Sequence, residues 1–219
     1  MHLNRRAFSR GVAVGAAASS VGLSSVAFAQ AKKWVAGKDY QVLDPRAPVE
    51  APAGKIEVVE FFWYNCPHCH AFEPTLDAWI KRLPKDVAFR RAPVAFQDSF
   101  VPQQRLYYAL EALGLVGKLH SKVFAAIHTE KIKLNTGDAI IEWLVAQGVD
   151  KAKFTEQYNS FTIASKATRA AQLQNAYRIE GVPALGLAGR FSTDGQMAGS
   201  MERALEIVDA LSAEIRAKG

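Results

Sequence analysis

Length, composition and charge describe an ordinary globular chain. At 219 residues, with 49% hydrophobic and 22% charged residues, it can bury a large core without disulfides, and it has the composition of neither a disordered chain nor a membrane bundle. Three of its positive charges, Arg5, Arg6 and Arg10, lie in a leader that we expect to be removed, and the other basic residues are scattered. Nucleic acid is therefore not expected as a partner.

Residues 1–29 have the order of a secretory signal peptide. A basic start is followed by an uncharged stretch from Gly11 and by Ala27-Phe28-Ala29, a small-x-small cleavage site. We predict cleavage after Ala29 and a periplasmic location. The pair Arg5-Arg6 also fits a twin-arginine signal, so the sequence leaves two export routes open. The glycines and serines of the stretch argue against an uncleaved membrane anchor.

The first part of the mature chain has an α/β pattern. Residues 30–54 are predicted to be extended, with a short strand near 40–43. Residues 56–62 form a nearly continuous apolar run, typical of a central strand covered on both faces. Apolar residues at helical spacing follow over 67–83, and a second strand is predicted over 87–94. Strand, helix and strand in this order indicate a parallel pair joined by a crossover helix.

The pattern then changes to helices only and later returns to α/β. Between 97 and 165 the spacing predicts helices over 105–116, 119–128, 139–147 and 151–158, with Gly117, Gly148 and Asn159 at the stops. A further helix is predicted near 166–177, followed by strands at 184–187 and near Gln196-Met197, and a last helix over 201–216. An all-helical block is thus inserted into an α/β unit.

The two cysteines of the chain lie at the junction of a buried strand and a helix. Cys66 and Cys69 enclose Pro67-His68. A helix N-terminus presents unpaired N–H groups and the positive end of the helix dipole, which lower a cysteine pKa from about 8.5 to roughly 3.5–7.5. We predict that Cys66 is the exposed nucleophile and Cys69 the buried resolving thiol. His68 is positioned to stabilise the Cys66 thiolate further, and Pro67 lies where a backbone donor is dispensable.

Other uses of this motif remain open at this point. A structural disulfide is disfavoured because a four-residue loop contributes little stability. Zinc would require His68, His70 or distant ligands in addition to the cysteines, and we predict no metal site. Residues 66–70 also match the C-x-x-C-H sequence that attaches c-type haem. Its second axial ligand would come from Met197, Met201, His120 or His128, none of them in a distinctive setting.

Cys66-Pro67-His68-Cys69 does not stand alone. It follows Val58-Val59-Glu60-Phe61-Phe62-Trp63-Tyr64-Asn65, and Gly181-Val182-Pro183-Ala184 occurs far downstream with the helical block between. In this combination the sequence resembles the DsbA family of exported thiol:disulfide oxidoreductases, from about residue 40 to the C-terminus. The resemblance implies an α/β, thioredoxin-like fold with an inserted all-helical domain. Its first part would be 30–96, the inserted helical domain 97–165 and the second part 166–219.

The resemblance also implies roles for individual residues. Pro183 would be a cis-proline opposite Cys66, and Val182 would present backbone groups to an incoming peptide. Glu60 would be a buried acid beneath the cysteine pair and a proton relay for Cys69. Arg91 aligns with a basic partner of that acid, although a solvated arginine at a strand end is an equal alternative.

Several neighbouring residues are expected to have ordinary roles. Phe62, Trp63 and Tyr64 are expected to pack in the core, with the edge of a peptide groove as the alternative. His70, His120 and His128 are expected to be ordinary surface or helix residues. Strand 184–187 is expected to be thin or bent, because Gly186 gives it little to pack.

The predicted function is donation of the Cys66–Cys69 disulfide to reduced exported proteins, through a mixed disulfide at Cys66. The resemblance implies reoxidation by a membrane quinone-linked oxidase of the DsbB kind, without a dissociable cofactor, and we expect a monomer. A disulfide isomerase or reductase remains an alternative. A non-catalytic peptide-binding module with a chaperone-like function is another.

Overall fold

The computed structural model describes residues 34–218. Its strands are β1 (Gln41–Val42), β2 (Ile56–Phe62), β3 (Val87–Pro93), β4 (Ala184–Leu187) and β5 (Phe191–Asp194). Its α-helices are α1 (Pro67–Ile80), α2 (Val101–Ala112), α3 (Val116–His128), α4 (Gly137–Ala146), α5 (Lys151–Asn159), α6 (Phe161–Ala176), α7 (Gly195–Ala198) and α8 (Met201–Lys218). A 3₁₀ turn, Asp98–Phe100, leads into α2. The predicted signal peptide, its cleavage site and the arginine pair lie outside the described residues.

Strand β2 is the centre of a mixed sheet with the order β1-β5-β4-β2-β3. All seven of its residues are buried, as its apolar run predicted. It pairs in parallel with β3 through the crossover helix α1, and antiparallel with β4. Side chains alternate between the faces of a strand. Val58 packs against α1 and α8, whereas Val59 and Phe61 pack on the side of α6, so Glu60 shares the α1 face with Val58.

The residues between β3 and α6 form a helical segment, which we define as residues 98–159. Its apolar side chains share one core with the end of β2 and with both cysteines. Leu106, Leu119 and Phe124 are among the buried helical residues, and Phe62 and Tyr64 meet them from the sheet side. The helical segment is therefore packed directly against the loop that carries the cysteine pair.

The stop between the first two helices of this segment differs from the prediction. Helix α2 ends at Ala112 and is followed by Gly114, whose φ of 69° is accessible mainly to glycine. Gly117, predicted as the stop, lies inside α3. Gly148, at φ 82°, does follow α4. Two glycines three residues apart cannot be told apart by spacing alone, because only the backbone conformation selects the one that ends the helix.

Helix α6 begins earlier than its apolar spacing indicated. Ser160 caps it, and its hydroxyl oxygen accepts a hydrogen bond from the Ile163 N–H at 3.2 Å. The N-terminal part of α6 packs with the helical core through Ile163, whereas Leu173 packs against the sheet. The helix thus runs through the domain boundary predicted at 165, and the domain division stays a prediction.

The strand predicted near Gln196-Met197 is wrong. These residues lie in the short helix α7, and the strand occupies Phe191–Asp194 instead. Asp194 causes the change, because its carboxylate accepts a hydrogen bond from the Met197 N–H at 2.8 Å and caps the helix.

Gly186 has a packing role in β4. A Cβ atom there would lie 2.4 Å from a ring carbon of Tyr177, so only glycine admits the buried aromatic ring. The Tyr177 hydroxyl in turn accepts a hydrogen bond from the Gly189 N–H at 2.9 Å. The strand is short, but a large side chain fills the space that Gly186 leaves. Within residues 34–218, none of the helices is long and apolar enough to cross a membrane.

Candidate active site

Cys66 is the N-cap residue of α1. A three-residue loop, Trp63-Tyr64-Asn65, carries the chain from β2 to this position. The Cys66 sulfur accepts a hydrogen bond from the Cys69 N–H at 3.3 Å, as capping groups do. Its thiol donates to the Val182 carbonyl oxygen, also at 3.3 Å. Both cysteines are thiols in this structure. Cys66 is not exposed as predicted: it is 7% exposed, because it packs into the core that the sheet shares with the helical segment.

The two thiols differ strongly in acidity. The pKa of Cys66 is lowered to about 6, chiefly by a hydrogen bond from the Cys69 thiol. Burial opposes this change, whereas the N–H groups of Cys69 and His68 and the His68 charge contribute to it. Burial raises the pKa of Cys69 far above its ordinary value, and its hydrogen bond to Cys66 adds to this effect. At neutral pH Cys66 is therefore a thiolate and Cys69 a thiol. Pro67 and His68 are both exposed beside them.

Pro183 lies in the loop that faces Cys66. The Val182–Pro183 peptide bond is cis, and Val182 contributes the carbonyl that Cys66 contacts. A cavity of about 410 Å³ adjoins this loop and is lined by His68, Val182, Pro183 and Met201 among others. The Asp44–Pro45 peptide bond is also cis, and no pattern in the sequence distinguishes it.

Glu60 is completely buried on the α1 face of β2. Its Oε2 accepts a hydrogen bond from Arg91 Nε at 2.8 Å, while its Oε1 has no hydrogen-bond partner within residues 34–218. Burial raises the pKa of Glu60 to about 8, although the Arg91 charge opposes the change. The Glu60 charge is also one of the effects that raise the pKa of Cys69. The buried acid thus acts on the resolving thiol.

Arg91 contacts two further acids that the sequence reading missed. Its NH2 group lies 3.0 Å from Glu73 Oε2 and 3.4 Å from Asp77 Oδ1. Burial raises the pKa of Glu73, but contacts with His120 and Arg91 outweigh burial and lower it overall. Glu73 lies one helical turn beyond Cys69 and Asp77 one turn further, so their spacing would have placed both acids on the same side of α1 as Cys69.

The expectation that His120 is an ordinary surface or helix residue is wrong. It is buried, its Nδ1 lies 2.8 Å from the Tyr64 hydroxyl, and its Nε2 lies 3.2 Å from Glu73 Oε1. His128 Nε2 donates to the Tyr64 carbonyl oxygen at 2.8 Å, and the rings of His70 and His128 stack at 5.0 Å. Periodicity cannot reveal these contacts, because the partners of each histidine are distant in sequence.

The aromatic residues before Cys66 take separate positions. Phe62 and Tyr64 are buried in the core that the sheet shares with the helical segment. Trp63 is half-buried and stacks on Phe100, with ring centroids 3.6 Å apart. Phe62 and Tyr64 therefore pack in the core, as expected by default.

Two alternatives for the cysteine motif, a metal site and covalent haem, can be compared with this geometry. Within the described residues no group of three or more His, Cys, Asp or Glu side chains is placed to hold a metal ion. Covalent haem would require thioether bonds to both sulfurs, but Cys69 is 0% exposed. The fully buried position of the second cysteine instead suits a resolving thiol.

We expect Glu60→Gln to flatten the pH dependence of stability. Because the folded pKa of Glu60, about 8, exceeds the ordinary value of 4.5, the folded state binds more protons between these values. The native protein should therefore lose stability as the pH rises from about 4.5 to 8, by up to about 1.4 kcal/mol per pH unit. Urea denaturation at several pH values measures this slope. Equal slopes in the native protein and the variant would contradict the assignment.

This geometry defines a class of enzyme. A thiolate at a helix N-terminus, next to a buried thiol that can close a disulfide with it, performs thiol–disulfide exchange. The chain is a thiol:disulfide oxidoreductase.

Comparison with known proteins identifies the family. Residues 57–206 match the sequence model of the DSBA-like thioredoxin domain. The thiol:disulfide interchange protein DsbA of Burkholderia cepacia is 43% identical over 182 residues, which cover 83% of this chain and 86% of that protein. The crystal structure of Pseudomonas aeruginosa DsbA matches with a TM-score of 0.81 at 42% identity, over 84% of this chain and 96% of that one. Oxidoreductase DsbA from Xylella fastidiosa matches with a TM-score of 0.78 at 33% identity, over 84% and 98%.

The chain belongs to the DSBA-like thioredoxin domain family. The predicted family and the α/β, thioredoxin-like fold with its helical insertion are confirmed. The predicted thiol:disulfide oxidoreductase activity is confirmed as well.

Proposed function

We propose that this protein is a periplasmic oxidant that transfers its Cys66–Cys69 disulfide to reduced, newly exported proteins. The observation that carries the proposal is the difference between the two thiols. Cys66 has a pKa of about 6 and lies at the end of a helix, whereas Cys69 is buried and remains protonated. Each unit by which the pKa of the Cys66 thiol falls favours the reduced form by about 1.4 kcal/mol, on the order of 30 mV for a two-electron couple.

The exchange begins with the enzyme disulfide. A substrate thiolate attacks the Cys66 sulfur, the Cys66–Cys69 bond breaks, and its electron pair leaves on the Cys69 sulfur. A second substrate thiolate then attacks the substrate sulfur of the mixed disulfide and releases the Cys66 thiolate. The substrate has lost two electrons and the enzyme has gained them. A stable Cys66 thiolate favours this last release, because a thiol of lower pKa is the better leaving group.

Glu60 is proposed as the proton reservoir for Cys69. The Cys69 sulfur leaves as a thiolate in a fully buried position, where the charged form is costly. A neighbouring carboxyl with a pKa of about 8 is protonated at neutral pH and can supply the proton. Arg91, in contact with Glu60 at 2.8 Å, then balances the carboxylate that remains.

The loop with Val182 and Pro183 is proposed to receive the substrate chain. The Val182 carbonyl lies 3.3 Å from the Cys66 sulfur, so a peptide joined to that sulfur would pass beside this loop. The adjoining cavity of about 410 Å³ offers His68 and Met201 as further contacts. A substrate bound there would be held next to the disulfide that it receives.

Reoxidation completes the proposed cycle. A membrane quinone-linked oxidase of the DsbB kind would take two electrons from reduced Cys66 and Cys69, which requires no dissociable cofactor on this chain. The proposed periplasmic location follows from the sequence of residues 1–29, with cleavage after Ala29. The protein is proposed to act as a monomer.

The redox equilibrium with glutathione tests the direction of the reaction. We expect the Cys66 thiolate absorbance to titrate near pH 6. We also expect a reduction potential well above the roughly −270 mV of thioredoxin. A potential near that of thioredoxin, with a thiol pKa near 8.5, would indicate a reductase instead. Faster reshuffling of scrambled disulfides than oxidation of reduced protein would favour the isomerase.

A further inference from the structure

The loop Trp63-Tyr64-Asn65 is held from the side of the helical segment. It is the connection between β2 and Cys66, and it turns through a hydrogen bond from the Cys66 N–H to the Trp63 carbonyl oxygen at 3.0 Å. Tyr64 and Asn65 both bond to residues far along the chain. We call this set of contacts the loop clamp, and it consists of Tyr64 and Asn65 with their partners Gln103, His120, His128 and Asn135.

In the half of the loop clamp that holds Asn65, each hydrogen bond has a defined donor and acceptor. Gln103 is 2% exposed and donates from Nε2 to Asn65 Oδ1 at 2.9 Å and to the Leu134 carbonyl oxygen at 3.0 Å. Its Oε1 has no hydrogen-bond partner among residues 34–218, so these two acceptors alone orient the amide. Asn65 Nδ2 donates in turn to Asn135 Oδ1 at 3.0 Å. Helix α2 and the loop before α4 thus both bind the Asn65 side chain, next to Cys66 in the chain.

The other half of the loop clamp holds Tyr64 by both its side chain and its backbone. Helix α3 supplies His120 to the Tyr64 hydroxyl and His128 to the Tyr64 carbonyl oxygen, each at 2.8 Å. The hydrogen bonds described for the Cys66 sulfur go to Val182 and Cys69 and to none of the clamp partners. Instead, the clamp partners restrict the two residues from which Cys66 extends.

The position of the Cys66 sulfur therefore has two sources. The sheet and α1 supply the groups that contact it, namely the Cys69 N–H and the Val182 carbonyl, each at 3.3 Å. The helical segment supplies the hydrogen bonds that fix the loop leading to it. Of the two groups that contact the sulfur, only the Cys69 N–H can donate to a sulfur anion. Because that hydrogen bond weakens steeply with misalignment, a small displacement of this loop would reduce the stabilisation of the thiolate.

We propose that the loop clamp is a positioning device through which the helical segment holds the Cys66 sulfur over the first turn of α1, with Gln103 and Asn135 acting through Asn65. This inference builds on the proposed function, since it assigns the helical segment a part in the redox chemistry of Cys66. Gln103 is a positioning residue and contacts no reacting atom.

Two adjacent glutamines provide a matched test. Gln104 is as buried as Gln103, at 2% exposed, but its Nε2 donates to the Pro93 carbonyl oxygen at 2.8 Å, away from the loop. We expect Gln103→Ala to raise the pKa of Cys66 by about half a unit and to lower the equilibrium constant for reduction by glutathione about threefold. Gln104→Ala should lose a similar amount of stability and leave both redox measurements unchanged. Thiolate absorbance and glutathione titration of the exported protein provide the readouts.

A second variant separates positioning from general loosening. Asn65→Ala removes the shared partner from a half-buried site, and the Gln103→Ala, Asn65→Ala double variant should shift the pKa no more than Asn65→Ala alone. Equal redox properties for Gln103→Ala and Gln104→Ala, or fully additive shifts in the double variant, would overturn the proposal. This comparison does not depend on the absolute reduction potential. A native protein with a potential near that of thioredoxin would refute the proposed function, but the redox properties of Gln103→Ala and Gln104→Ala could still be compared.

Discussion

Replacing Cys69 with serine is expected to abolish oxidation and to leave Cys66 joined to partner proteins by mixed disulfides. The activated thiolate of Cys66 still attacks disulfides, but the thiol that would resolve the adduct is missing. Oxidative refolding of a reduced protein should fall to the uncatalysed rate. Non-reducing gels of periplasmic extracts should show adducts of higher mass that disappear with reductant.

Cys66→Ser is the matched control for this experiment. It should abolish oxidation equally but form no adducts, because Cys69 is 0% exposed and remains protonated. Adducts of similar amount in both variants would contradict the division of roles between the two thiols. Full activity of Cys66→Ser would instead support the non-catalytic peptide-binding alternative.

Replacing Arg91 with methionine is expected to cause the largest loss of stability among the site residues. Arg91 bonds to Glu60, which is fully buried and protonated at pH 7, and pairs with Glu73, which is 6% exposed and whose pKa is lowered overall by His120 and Arg91 against the effect of burial. Removal of one partner from a buried ion pair typically costs about 3–5 kcal/mol, because a charge is left without compensation. Urea denaturation at pH 7 measures the difference. The loss should shrink as the pH falls, since protonation of Glu73 removes the uncompensated charge.

An exposed arginine serves as the control. Arg216 contacts Asp86 at 2.6 Å on the surface, where solvent screens the interaction. Arg216→Met should leave the unfolding midpoint nearly unchanged. A loss for Arg91→Met no greater than that for Arg216→Met would show that the buried acids do not depend on the Arg91 charge.

The sequence alone predicted the features that depend on neighbours along the chain. The apolar run before Cys66, the helical spacing after it and the short distance to Cys69 locate two thiols at a strand-to-helix junction. The physical consequence, a stabilised thiolate on the first cysteine, follows from the dipole and the N–H groups of any helix N-terminus. Val182-Pro183 entered only through the family resemblance, because no local pattern distinguishes a cis-proline.

The tertiary structure alone revealed how the surroundings of that junction are assembled. The contact of Tyr64 with His120 and that of Asn65 with Asn135 join residues separated by 56 and 70 positions. Likewise, Arg91 meets Glu60 and Glu73 only because β3 pairs with β2 beneath α1. Periodicity indicates which face of an element is buried but not what it is buried against. Thus the sequence determined which thiol reacts, and the fold decided which charges and hydrogen bonds hold it in place.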